Sequence, residues 1–328
     1  MRITCQELLA TFEGALERRG MASAAARACA TLFVETTRDG VITHGVNRFP
    51  VFIRQIEQGD VLVNAEPVQV QAWGAMERWD GQAGPGNLNA ARCMDRAVAL
   101  AREHGICAVA LRNTNHWMRG GTYGLRAAAA GCVGICWSNA LASMPAWGGR
   151  DGRLGTNPLV LAVPGDPPTL VDVAMSQFSY GKLEQYRLRG ERLPVPGGYD
   201  VSGALSVVPG AIEASRRPQP MGYWKGSALA AVLDMIAAAL SGGNGTVDLS
   251  RTGRETALSQ VFIAIGLEAG GAWEATVQRI KDDIRASVPD EAGNAPHIPG
   301  ERVVALRAMH DRDGITIDDR VWARVKEL

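Results

Sequence analysis

The period of the apolar residues changes near Val68, and that change constrains the possible folds more than any other feature. Before it the repeats are helical. Leu8, Phe12 and Leu16 recur every fourth residue behind Thr4 and Glu7, which have capping-box spacing. An alanine-rich helix is expected over about 23–38, with Gly40 as its left-handed stop. Pro50 suits the first turn of a third helix, which Gly59 closes. From Val68 the alternation of Val68, Val70 and Ala72 with Gln69 and Gln71 is that of a strand. Strand-like runs follow at 106–111, 132–137, 159–163 and 169–173, with helices expected over 90–103 and 122–130. Proline and glycine are frequent from 190 to 220, where a long ordered loop is expected. A helix over 225–240, a strand over 260–265, a helix over 273–285, a polar linker and two short helices complete the chain. The expected architecture is helical at both ends around a mixed α/β middle.

Composition excludes several classes of partner. Lys plus Arg and Asp plus Glu stand at 34 each among 328 residues, so no basic excess favours nucleic acid or an anionic membrane. No run of about 18 apolar residues is read as crossing a membrane. No signal peptide is read at the N-terminus, where Glu7 and Glu13 interrupt the apolar region. The expectation is a cytoplasmic protein. The six cysteines lie in apolar or alanine-rich surroundings and read as reduced, buried thiols. Cys132 and Cys136 form a lone Cys-x3-Cys pair with no second pair to complete a zinc site, and no metal is expected.

Familiar motifs of nucleotide and hydrolytic chemistry are missing or incomplete. Gly84-Pro85-Gly86 begins like a dinucleotide-binding loop, but Asn89 stands where the third glycine belongs. Lys225-Gly226-Ser227 lacks the upstream glycines of a phosphate-binding loop. Ser179 and Lys182 match Ser-x-x-Lys without either partner motif of a serine amidase.

More informative is GVITHGVNRFP, Gly40 to Pro50. It sets His44, able to exchange a proton near neutral pH, four residues before Arg48, whose planar fork grips a carboxylate. A carboxylate beside a carbonyl would use both; the plainer reading is an ordinary turn and a solvated charge. His116, on a loop at a strand end, is a second imidazole, with a structural histidine as its plain alternative. Trp224 and Lys225 open a helix whose free N–H groups suit an anionic phosphate, or merely form a capping turn. Asp172 ends an apolar strand, where a carboxylate needs a partner such as hydroxyls or an imidazolium.

GVITHGVNRFP, LRNTNHWMRGGTYG, GTNPL, VDVAMSQFSYG and PMGYWKGS, in this order, resemble the type 2 malate/lactate (sulfolactate) dehydrogenase family along essentially the whole chain. The resemblance implies a non-Rossmann fold with a mostly antiparallel cofactor-binding sheet and a helical domain made from both chain ends. It divides the chain into a helical domain (1–66 with 288–328), a cofactor-binding α/β domain (67–118 with 224–287) and a third domain (119–223). It implies a homodimer and NAD(P)H-dependent reduction of a 2-oxo acid, here read as a 2-oxo sugar acid, with NADH as cofactor and NADPH not excluded. Malate, lactate, ureidoglycolate or a cyclic imino acid are the alternatives within the family.

By the same resemblance His44 is the catalytic acid/base, and Arg48 and His116 lie against the substrate. Cofactor contacts are implied at Pro168, Thr169, Leu170, Val171, Asp172, Val173 and Ala174, at Trp224 and Lys225, and at Gly300, Glu301 and Arg302. Asp172 is also a possible supporting acid beside an imidazole. Outside the family, a Schiff-base lyase using Lys225 or a non-catalytic sugar-acid binder remain as rivals.

Overall fold

A computed structural model describes residues 1–328. At its centre seven strands form one sheet, in the spatial order Val68–Trp73, Met76–Asp80, Ile106–Thr114, Leu258–Gly266, Cys132–Ser138, Leu159–Val163, Thr169–Val173. Every neighbouring pair is antiparallel except Met76–Asp80 against Ile106–Thr114. Leu258–Gly266 takes the middle position because it is apolar on both faces. Phe262 and Ala264 join the core under helices Gly86–His104 and Gly121–Ala129, while Val261 joins the core under helix Trp224–Ser241. The mostly antiparallel, non-Rossmann sheet agrees with the architecture expected from the sequence.

The two ends of the chain share a second core. Leu8, Phe12, Phe33, Phe49 and Phe52 from helices Cys5–Glu17, Ser23–Arg38 and Phe49–Glu57 meet Ile315, Ile317 and Trp322. The Phe12 and Phe49 rings stack with centroids 4.1 Å apart, and Phe33 meets Phe49 edge-on at 5.2 Å. Thr4 caps the first helix as expected, its hydroxyl accepting from the Glu7 N–H at 3.1 Å. Five of the six cysteines are buried, and all six are free thiols.

Four local readings need correction or refinement. The stretch 190–220 is not one loop: strands Gly198–Tyr199, Leu205–Ser206 and Arg217–Pro218 form a small sheet beside helix Pro209–Ser215. These elements are too short to carry a visible period. Helix Tyr180–Leu188 escaped detection because Leu183 is its one buried side chain. Its cap is Ser179, which accepts from the Lys182 N–H at 3.2 Å, so the Ser-x-x-Lys match is a helix start. Strand Val68–Trp73 does alternate, but it is an edge strand exposed along its whole length. Finally, helix Trp224–Ser241 is long and apolar enough to cross a membrane. Here it lies on the sheet through Ala230, Leu233 and Ala237, and its Asp234 accepts from the Thr246 N–H at 3.0 Å.

One ion cluster ties the two cores together. Asp39, just past helix Ser23–Arg38, is buried and paired with Arg119 and with Arg307 of helix Glu301–Asp313. Removing one partner of a buried cluster leaves its cations uncompensated, which costs far more than losing a surface pair. Asp39→Ala is therefore expected to destabilise the protein by about 3–5 kcal/mol in urea denaturation. Asp151→Ala, which breaks an exposed pair with Arg153, should cost no more than about 1 kcal/mol. Equal midpoints for the two variants would show that the Asp39 cluster does not join the cores.

Candidate active site

His44 lies in the turn leading to helix Phe49–Glu57, and that turn is pressed onto the end of helix Ser23–Arg38. The Val46 N–H donates to Thr37 Oγ1 at 3.0 Å, and a Cβ on Gly45 would sit 2.3 Å from the same oxygen. A glycine after His44 is what allows this approach. His116 follows strand Ile106–Thr114, and its main chain rests on the start of helix Gly86–His104. A Cβ on Gly86 would come within 2.2 Å of the Asn115 carbonyl and 2.4 Å of the His116 carbonyl. The Gly84-Pro85-Gly86 run thus serves the protein's own backbone packing.

These two contacts bring the imidazoles side by side. Their rings are nearly parallel, with centroids 5.9 Å apart and an interplanar angle of 20°. Arg48 stands at the start of helix Phe49–Glu57 and donates from Nη2 to Glu255 Oε2. Its Nε is buried with no partner in the chain. Glu255 Oε1 lies 4.0 Å from His116 Nε2. On the opposite wall Asp172 Oδ2 accepts from the Gly121 N–H at 2.7 Å, with Arg119 Nε at 4.0 Å. The partner of Asp172 is therefore a helix N-terminus and an arginine, rather than the hydroxyl pair or bonded imidazolium anticipated from the sequence.

Burial sets the protonation of both rings. It lowers the His44 pKa below the ordinary histidine value; Asp172 and Glu255 pull it up, while Arg48 and Arg119 add to the lowering. The charge of Asp172 favours the protonated ring, and burial outweighs it. Burial pushes His116 down to about 3. Its Nδ1 accepts from the Met118 N–H at 3.0 Å, which leaves the proton on Nε2. Burial raises Glu255, but its cationic neighbours outweigh it and hold the carboxyl below its usual range; with His116 neutral, Arg48 is the permanent cation among them.

His44, Arg48, His116, Asp172 and Glu255 line one cavity of about 520 Å³. Leu170, Ala174, Gly300 and Val303 line it too. The two remote segments meet where the Leu170 N–H donates to the Pro299 carbonyl at 3.0 Å. Thr169–Val173 is the last strand of the sheet, so beyond Leu170 its outer edge has no strand partner. A free main-chain edge beside apolar Leu170 and Val303 fits a flat ring bearing an amide group. Glu301 turns away to pair with Arg285, and Arg302 is exposed. Trp224 and Lys225 are exposed and do not line this cavity, although Met221 just before them is tied to Met175 by an N–H to carbonyl bond of 2.8 Å. A Schiff-base lysine needs an apolar pocket, which Lys225 lacks. A larger cavity of about 1060 Å³ under helix Trp273–Arg285 contains none of these groups. Convergence of titratable side chains, more than volume, marks the candidate site.

Three residues here escaped sequence reasoning. Asp39 carried a faint signal, because an acid at a helix C-terminus opposes the helix dipole unless it is paired. Arg119 lay inside a quoted motif without a role. Glu255, before strand Leu258–Gly266, looked like any polar residue flanking a strand.

Comparison with known proteins is consistent along the whole chain. The family model described as malate/L-lactate dehydrogenase matches residues 3–326. A 2,3-diketo-L-gulonate reductase of Shigella boydii is 49% identical over 332 residues, covering all of both chains, and that of Escherichia coli K12 is 48% identical over the same span. Among solved structures, sulfolactate dehydrogenase from Methanocaldococcus jannaschii superposes with a TM-score of 0.89 at 26% identity, covering 100% of this chain and 96% of the other. A malate/lactate dehydrogenase homologue from E. coli gives 0.90 at 28%, covering 99% and 93%. The sequence motifs, the sheet and these matches agree: the chain belongs to the malate/L-lactate dehydrogenase family, whose members are oxidoreductases of 2-hydroxy and 2-oxo acids that use a nicotinamide cofactor.

Proposed function

We propose that this enzyme reduces a 2-oxo sugar acid, 2,3-diketo-L-gulonate to 3-dehydro-L-gulonate, with NADH as the preferred cofactor and His44 as the proton donor. The observation that carries the reading is the convergence of His44, Arg48 and His116 in one cavity whose far wall is the free edge at Asp172 and Ala174. The relatives at 48–49% identity supply the substrate.

A bound reduced nicotinamide supplies the hydride. The chain's own groups do the rest. Arg48 supplies positive charge for the substrate carboxylate and so orients the carbonyl. Protonated His44 gives its proton to the carbonyl oxygen as that oxygen takes up negative charge. The Thr43 hydroxyl, 3.1 Å from His44 Nδ1, holds the ring, and the charge of Asp172 stabilises the protonated form during the reaction. In the reverse direction neutral His44 takes the proton from the hydroxy acid.

Self-association is part of the proposal. Helix Trp224–Ser241 turns Leu229, Val232, Met235 and Ile236 to solvent, with 37–67% of each exposed. An apolar face of this kind supports a second copy of the chain as its cover.

Three measurements test these statements. His44→Asn should lower turnover of 2,3-diketo-L-gulonate by about 10²–10⁴-fold, while the affinity for NADH, titrated separately, is retained. Near-wild-type turnover would remove His44 from the mechanism, and running NADPH in parallel decides the cofactor. The pH profile has a definite sign. Reduction needs the protonated ring, so kcat/KM should fall as pH rises through an inflection below the ordinary 6.5 of histidine. Oxidation of the hydroxy acid needs the neutral ring and should rise through the same point. Light scattering on Met235→Glu should show a shift from dimer toward monomer; an unchanged mass would place the interface elsewhere.

A further inference from the structure

Glu255 does not itself pass the proton, although its charge favours protonated His44, and it sits among the reacting groups. Its two oxygens have different surroundings. Oε2 takes a hydrogen bond from Arg48, and Oε1 faces His116 Nε2 across a gap of 4.0 Å. That gap is too long for a hydrogen bond. His116 is a permanent donor into it, because Nδ1 is occupied as an acceptor by the Met118 N–H and the ring is neutral. A donor and a charged acceptor therefore stand side by side on the cavity wall, close enough for one oxygen set in the cavity, about 2 Å off the line between them, to touch both.

We infer that Glu255 and His116 together form a hydroxyl-recognition subsite, which selects 2-oxo acids bearing a hydroxyl beyond the reacting carbonyl and rejects those ending in a second carboxylate. The inference rests on the reductase reading and adds the basis of its selectivity. An oxygen about 2.8 Å from each facing atom bridges the gap, in the ordinary range for such bonds. A hydroxyl group accepts from Nε2–H and donates to Oε1 at once. A methyl group does neither, and it leaves Oε1 of the carboxylate without a hydrogen bond in a partly buried site. A second carboxylate accepts from His116 but has no proton for Glu255, and its charge lies directly against that of Glu255. The subsite is one imidazole away from His44, since the two rings are 5.9 Å apart. That separation suits a chain whose second carbon is at His44 and whose hydroxyls begin two carbons further on.

Glu255 is held for this role from outside the cavity. Neighbouring Arg254 pairs with Asp60, past the end of helix Phe49–Glu57. The loop before strand Leu258–Gly266 is thereby fastened to the element that carries Arg48. Glu255 thus acts on selectivity through hydrogen bonding and charge, and the carbonyl itself remains with His44.

A matched six-carbon series tests the inference: 2,3-diketo-L-gulonate, 2-oxohexanoate and 2-oxoadipate, with wild-type enzyme, Glu255→Gln and Glu255→Ala. In the wild type, kcat/KM should be highest for the hydroxylated acid and lowest for the dicarboxylate. In Glu255→Ala the ratio of 2,3-diketo-L-gulonate to 2-oxohexanoate should fall about 10- to 100-fold, while 2-oxoadipate gains relative to 2-oxohexanoate. Glu255→Gln, which keeps size and an acceptor but loses charge, should restore part of the hydroxyl preference and keep the gain for 2-oxoadipate. Equal losses on all three acids would mean that Glu255 only holds Arg48, and would overturn the inference. So would a wild type that does not distinguish 2-oxohexanoate from the sugar acid. If the wild type reduces none of the three, the reductase reading fails separately. Quenching of Trp117, which lines the cavity, by L-gulonate and by hexanoate then decides the subsite. Preference for gulonate that disappears in Glu255→Ala supports it, and no preference refutes it.

Discussion

The site depends on a chain of alternating charges whose middle, Asp39 and Arg119, is buried. Arg307 from the C-terminal helix and Arg119 from the loop after His116 both hold Asp39, and Arg119 extends toward Asp172 on the last strand of the sheet. Asp172 in turn is fixed by the Gly121 N–H. The two buried members, Asp39 and Arg119, each sit between opposite charges, which is the condition under which ions tolerate burial. The cluster joins the end of one N-terminal helix, a C-terminal helix, a loop and a strand. Because Asp39 lies five residues before His44, the same cluster decides where the imidazole stands relative to the strand edge.

The imidazoles are placed by backbone contact. Gly45 lets the His44 turn settle on Thr37, and Gly86 lets the His116 loop settle on a helix start. Rigid elements supply the positions and loops carry the reacting groups, an arrangement that holds them without strain in the groups themselves. Burial then leaves both rings neutral at rest, but for different ends. His44 has carboxylates nearby whose charge favours its protonated form, as the proposed proton transfer requires. His116 has its proton pinned on Nε2 and acts as a fixed donor. Two histidines in one cavity thus differ in role because their second nitrogens meet different partners, a hydroxyl for one and a main-chain N–H for the other.

Much of the fold was legible in the chain. The helices over 23–38 and 273–285 and the strands over 159–163 and 169–173 lie where their periods place them, since each has a clear buried face or clear ends. Helix Tyr180–Leu188 and the small elements of 190–220 were not legible, because that helix has no apolar stripe at helical spacing and the others are too short to show a period. His44, Arg48, His116 and Asp172 were also picked out by residue type and motif, and they line a common cavity. Trp224 and Lys225 were picked out in the same way, Glu301 and Arg302 through the family resemblance alone, and all four lie outside it.

By itself, the sequence determined the element types, the buried apolar faces and the family, because these are written in local period and in contiguous motifs. Only the tertiary structure decided that residues 44, 116, 172, 255 and 300 meet around one cavity. It alone decided that Asp39, Arg119 and Arg307 neutralise one another, that Arg48 is already engaged by Glu255, and that His116 keeps its proton on Nε2. The physical reason is the same for each. Charge pairing, desolvation and tautomer choice depend on distances of a few ångströms between groups far apart in the chain, and local sequence period carries no record of those distances.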